Sequence, residues 1–114
     1  MGIQNWSENV ILVNLAAEPD LGEEIQSVCE IVSKRTDQDV VMDFSDVEIL
    51  TSSSIAKLLK LRKVLFDNQR KLVLCCVRPA TKNIFYVTGL DTVFSFVQDQ
   101  FIALASLQMA AAEM

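Results

Sequence analysis

The sequence contains no histidine. That absence removes His-dependent catalytic triads, imidazole general bases and histidine zinc ligands in one step. Cysteine is scarce: Cys29, Cys75 and Cys76 are odd in number, and their spacing is neither CxxC nor a disulfide framework. Free thiols of this kind suit a reducing compartment. Glycine occurs only at Gly2, Gly22 and Gly89, so no glycine-rich phosphate loop is present and a small nucleotide-binding protein ranks low. Positive charge is short, with ten Lys+Arg against fifteen Asp+Glu and a net charge of −5. An acidic chain lacks the phosphate-neutralising surface on which nucleic-acid binding depends. Long apolar runs are missing too. Val10 to Ala17 and Phe101 to Ala112 are broken by Asn14, Ser106 and Gln108, and both fall short of the roughly 20 residues of a membrane span. No basic stretch followed by an apolar core opens the chain, so no signal peptide is expected. These absences predict a soluble, cytoplasmic, non-enzymatic protein with no cofactor, no metal, no nucleic-acid partner and no membrane association.

Hydrophobic residues make up 51% of the 114 residues and charged residues 22%, which excludes intrinsic disorder and leaves room for one domain over 1–114. Ile3 to Ser7 and Val10 to Ala16 read as two strands about a Glu8-Asn9 turn. Pro19 ends the second, and Asp20 with Glu23 forms a capping box for a helix whose stripe is Leu21, Ile25, Val28, Cys29 and Val32. Val40 to Phe44 reads as a central buried strand. Ile55 to Asn68 reads as a helix with a stripe of Ile55, Leu58, Leu59, Leu65 and Phe66 and a basic outer face of Lys57, Lys60, Arg62 and Lys63. Leu72 to Val77 is a further strand, with Cys75 and Cys76 as buried structural thiols on its two sides. Pro79 starts a helix that ends at Gly89. Val93 to Val97 is the last strand, and residues 100–114 form a C-terminal helix that either packs on the domain or makes a homodimer contact. The order ββαβαβαβα predicts an α/β fold: a small mixed β-sheet with helices packed mainly on one face.

One segment asks for more than packing. Thr51-Ser52-Ser53-Ser54 sets four hydroxyls between a buried strand and an amphipathic helix. Helix capping needs one of them. The others suit a functional serine, because a helix N-terminus favours an anion or a phosphoryl group. A phosphoserine there would add about −1.5 to −2 charges beside Asp43, Asp46 and Glu48. A serine nucleophile is disfavoured, since no histidine exists to activate it.

The stretch Val40-Val41-Met42-Asp43-Phe44-Ser45-Asp46-Val47-Glu48-Ile49-Leu50-Thr51-Ser52-Ser53-Ser54-Ile55 resembles the central signature of STAS domains, the sulfate transporter and anti-sigma factor antagonist family. That signature is a buried strand ending in Asp-Leu-Ser, a short apolar patch, and Asp-Ser-Ser-Gly-Leu opening a helix. Lys71 to Cys75, Arg78-Pro79 and Phe85 to Phe94 resemble its later strand, helix and return, so the likeness spans about residues 8 to 100. The resemblance implies a partner-switching protein. Its unphosphorylated form binds an anti-sigma factor that is also a serine kinase, and so frees a sigma factor; a serine phosphatase resets it. By position Ser53 matches the phosphoacceptor, with Ser52 as the fallback. Thr51 stands where the family has an acidic residue, and Ser54 where it has glycine. Asp43, Asp46, Thr51, Ser54, Lys57 and Lys60 are the expected partner-binding residues. The alternative within the family is a scaffold that is never phosphorylated.

Overall fold

The computed structural model describes residues 2–112. Five strands and four helices follow in the expected order. They are β1 (Ile3–Ser7), β2 (Val10–Asn14), α1 (Leu21–Lys34), β3 (Asp39–Asp43), α2 (Ser52–Asp67), β4 (Leu72–Cys75), α3 (Pro79–Val87), β5 (Ser95–Val97) and α4 (Gln100–Ala112). The expected C-terminal helix is therefore present, and residues 113–114 of it lie outside the described residues. The sheet runs β1-β2-β3-β4-β5, with β1 antiparallel to β2 and every later pairing parallel. Among the described residues no helix is long and apolar enough to cross a membrane.

The apolar content follows from a sheet buried on two sides. Alternate side chains of a strand point to opposite faces. Ile11, Val13, Val40, Met42, Leu72 and Leu74 meet α1, α2 and α3 on one face. Val10, Leu12, Val41, Val73 and Cys75 meet Ala103, Leu104 and Leu107 of α4 on the other. Three helices share one face as expected, and the C-terminal helix is the exception. It packs on the sheet and leaves Phe101 and Ile102 exposed. Phe85 of α3 closes the main core against Phe44, Phe94 and Phe96, edge-to-face at centroid distances of 6.3, 5.6 and 5.3 Å.

Several local expectations are corrected. Strand β2 stops at Asn14 and β5 begins only at Ser95. Asp20 precedes α1 but makes no side-chain cap bond, because its backbone is already helical rather than extended as a cap requires. Glu24 instead accepts a hydrogen bond from the Ala16 amide. The buried stripe of α2 is Ser54, Leu58, Leu61 and Leu65. Leu59 and Phe66 each follow a buried position by one residue, about 100° around the helix, and so face water. The Arg62 guanidinium lies 5.5 Å from the centre of the Phe66 ring. Cys76 is half-buried just past β4, with a left-handed φ of 59°, and does not continue the strand.

Two helices end in the same way. At the end of α3, Leu90 N–H donates to Phe85 O (2.8 Å) and Gly89 N–H to Tyr86 O (3.1 Å) around a Gly89 φ of +75°. At the end of α2, Arg70 N–H donates to Leu65 O (2.7 Å) and Gln69 N–H to Phe66 O (3.0 Å), but the left-handed residue is Gln69 at φ 60°. Gln69→Gly is expected to raise stability in urea unfolding by about 0.5–1 kcal/mol, by relieving the Cβ clash at that position. Leu61→Ala is expected to cost about 2–5 kcal/mol in the same assay. Leu59→Ala is expected to stay within about 1 kcal/mol.

Candidate functional site

The site grows from the end of the central strand. Asp43 closes β3, and its Oδ1 accepts from the Ser45 amide (2.8 Å), which turns the chain out of the sheet. Phe44 and Val47 anchor the following loop in the core. Helix α3 then holds the loop from the side. The buried Thr81 hydroxyl lies within donating distance of Val47 O (3.1 Å) and Glu48 O (2.9 Å). Arg78 donates through Nε (3.1 Å) and Nη2 (2.8 Å) to Ser45 O, and through Nη1 (2.8 Å) to Glu48 Oε1. The loop delivers the chain to α2 in a fixed register.

At the start of α2 the four hydroxyl residues separate into different tasks. Thr51 is the N-cap, with an extended backbone and its Oγ1 accepting from the Ser54 amide (3.1 Å). Its own proton points to Ser54 Oγ (3.2 Å). Ser54 is 1% exposed and donates its hydroxyl proton to Glu18 Oε2 (2.7 Å), which also accepts from the Thr51 amide (3.1 Å). Ser52 and Ser53 are exposed, and no side-chain hydrogen bond engages either among the described residues. Burial alone would raise the Glu18 carboxyl. The Ser54 hydroxyl, the Thr51 amide and hydroxyl and the Lys57 charge outweigh it and hold the group below its usual 4.5.

The expected partner-binding residues are divided by the same geometry. Thr51, Asp46 and Lys60 are exposed and Lys57 is half-buried. Asp43 and Ser54 are turned inward instead of toward a partner. Asp43 is 7% exposed, with Gln100 Nε2 (2.9 Å) on its second oxygen, and Ser54 lies under Glu18. The basic outer face of Lys57, Lys60, Arg62 and Lys63 is divided too: the Lys57 charge acts on Glu18, and Lys63 pairs with Asp67 at 2.9 Å. Residues at a spacing of three drift around a helix of 3.6 residues per turn. Nothing in the sequence singles out Glu18, Thr81 or Gln100. They lie 36, 33 and 57 residues from the groups they bind, and no local pattern joins them. Arg78 belongs to the family likeness, but its place as the clamp of the loop emerges only in the folded chain.

Comparison with known proteins adds a frame to this geometry. A family model described as the STAS domain matches residues 7–101. A Thermotoga maritima protein superposes with a TM-score of 0.80 at 13% identity, over 93% of this chain and 92% of that one. An anti-sigma-factor antagonist (STAS) domain protein from Planctomyces limnophilus gives 0.73 at 20%, over 95% and 99%. The Bacillus anti-sigma factor antagonist SpoIIAA in its unphosphorylated form gives 0.74 at 12%, over 93% and 94%. At these identities the likeness is one of fold.

The Glu18 clamp has a pH signature. A carboxyl lowered in the folded state stabilises the fold above its unfolded value, and that contribution fades as pH falls through the folded value. Glu18→Gln is expected to reduce stability at neutral pH by about 1 kcal/mol. The gap to the wild type is expected to close on acidification below 4.5, as read by urea midpoints across pH. An equal gap at all pH values would mean that the Glu18 charge contributes nothing.

Proposed function

The chain belongs to the STAS domain family, and we propose that it is an anti-sigma factor antagonist switched by phosphorylation of Ser53. The unphosphorylated chain binds an anti-sigma factor that is also a serine kinase, and so releases a sigma factor. The kinase then modifies Ser53, and a serine phosphatase reverses it. The chain is a substrate and ligand in this cycle, not an enzyme.

The observation that carries the reading is the contrast between Ser53 and Ser54. Two neighbouring hydroxyls on one helical turn differ fully in access: Ser53 is exposed, and Ser54 is buried on Glu18. A kinase needs a hydroxyl that protrudes from a fixed backbone, and Ser53 has that presentation. Ser52 shares the exposure, one residue nearer the cap. Ile49, 67% exposed on the loop before α2, offers an apolar anchor beside these serines. The resemblance of the fold to SpoIIAA supports the reading.

Incubation with the serine-kinase anti-sigma factor of the same genome and ATP is expected to place one phosphate on Ser53, read by peptide mass mapping. Ser53→Ala is expected to abolish it and to keep binding. Ser53→Asp is expected to weaken the complex while far-UV circular dichroism stays unchanged. A complex of wild-type strength with Ser53→Asp would rule out charge as the switch. No phosphate and no complex would leave the unphosphorylated scaffold.

A further inference from the structure

The end of β3 gathers more chemistry than a turn requires. Asp43 and Cys75 are register partners on neighbouring parallel strands, so their side chains leave the same face of the sheet. Cys76 would point to the opposite face if the strand continued. Its φ of 59° breaks the alternation, and the Asp43 carboxylate and both sulfurs come within 4.8 Å of one another. A left-handed cysteine is an uncommon, costly conformation for a side chain whose bland role is to fill space.

We propose that Asp43, Cys75 and Cys76 form a binding site for one thiophilic divalent cation of the Zn²⁺ class. Two sulfurs and one carboxylate oxygen are a borderline-soft donor set, suited to four-coordinate zinc with water in the open position. Ligands on a tetrahedral zinc at about 2.0–2.3 Å from the metal stand about 3.5–3.8 Å apart, so closing the site needs movements of roughly an ångström. On binding, the two thiol protons leave to solvent and both sulfurs coordinate as thiolates.

The surroundings suit a cation. Asp43 is 7% exposed, yet none of the ion pairs among the described residues includes it. A buried carboxylate ordinarily has a positive partner. Its orientation is already fixed, by the Ser45 amide at 2.8 Å on Oδ1 and Gln100 Nε2 at 2.9 Å on Oδ2. The backbone N–H of Cys76 donates to Gln98 O at 3.2 Å, which holds this residue beside the start of α4. Two thiolates, a carboxylate and a divalent ion sum to one negative charge, beside the first turn of α4, where Asp99 Oδ1 accepts from the Ile102 amide at 2.8 Å. Cys76 is half-buried and gives the ion a way in. An ion here would tie the ends of β3 and β4 to the start of α4, whether or not Ser53 is ever phosphorylated.

The test uses the reduced, tag-free full chain titrated with Cd²⁺ and with Co²⁺. The chain has no histidine, so tight binding must come from sulfur or carboxylate. One ion per chain is expected, with sulfur-to-metal charge-transfer absorbance and a raised melting temperature. Cys76→Ser, at a half-buried position, is expected to remove the charge-transfer band while far-UV circular dichroism stays unchanged. Cys29→Ser, away from the cluster, is expected to leave it intact. Gln100→Ala, which frees the Asp43 carboxylate, is expected to weaken binding roughly 10- to 100-fold. No band in excess metal, a band that survives Cys76→Ser, or one that vanishes with Cys29→Ser would overturn the proposal.

Discussion

Burial of β3 on both faces is the constraint from which the rest of the molecule follows. Val40, Val41 and Met42 are each fully buried, with helices above and below. A strand in that position cannot fray gradually, because every backbone polar group near its end must find a partner away from water. Asp43 resolves this at a single residue. One carboxylate oxygen turns the chain through the Ser45 amide, and the other reaches Gln100 on the helix of the opposite layer. The same residue that ends the sheet therefore joins the serine-bearing loop to α4. Such a carboxylate is at once structural and exposed to ligand chemistry, and the two cysteines beside it sharpen that double character.

The loop beyond Asp43 shows how a short segment without regular structure can be rigid. Its carbonyls at Ser45, Val47 and Glu48 are engaged by Arg78 and Thr81, both at the start of α3. Val47 and Leu50 are buried and Glu48 pairs with Arg78, which leaves few side chains of the segment free. Ile49 and the two leading serines of α2 thus face solvent from a fixed frame. A surface that a partner must read repeatedly benefits from this preorganisation, since less disorder has to be removed on binding.

Periodicity makes most of the scaffold legible in the sequence. The α1 stripe of Leu21, Ile25, Val28, Cys29 and Val32 is buried throughout, and the β3 run reads as central because it is continuously apolar. The α2 stripe is legible only in part. Leu59 and Phe66 are as apolar as Leu61, and hydropathy cannot choose between adjacent leucines when one side of the helix contacts both α1 and the sheet. The cap of α1 fails because Asp20 has the right side chain on a backbone that is already helical. The candidate site divides in the same way. Thr51 to Ser54 announce a helix start by local composition. The partners that decide which hydroxyl is free, Glu18 above all, come from 36 residues away and carry no periodic signal. Strand alternation, extended one residue too far, sets the two cysteines on opposite faces. A single left-handed dihedral at Cys76 cancels it.

Glu18 also bears on what a charge at Ser53 would do. The usual expectation is that a phosphate at a helix N-terminus is drawn in by free amides and the helix dipole. Here a carboxylate already stands beside that helix end. The Ser54 amide is engaged by Thr51 Oγ1, and the Thr51 amide and Ser54 hydroxyl are engaged by Glu18. A phosphate on Ser53 would meet a carboxylate held in its charged form by those bonds and by Lys57. Like charges repel, and a phosphate on Ser53 would add to the negative charge already at this end of α2. A phosphate on Ser53 directed to solvent would lessen that repulsion. The position that the family fills with an acidic residue is Thr51 in this chain, and the carboxylate arrives instead from the loop before α1.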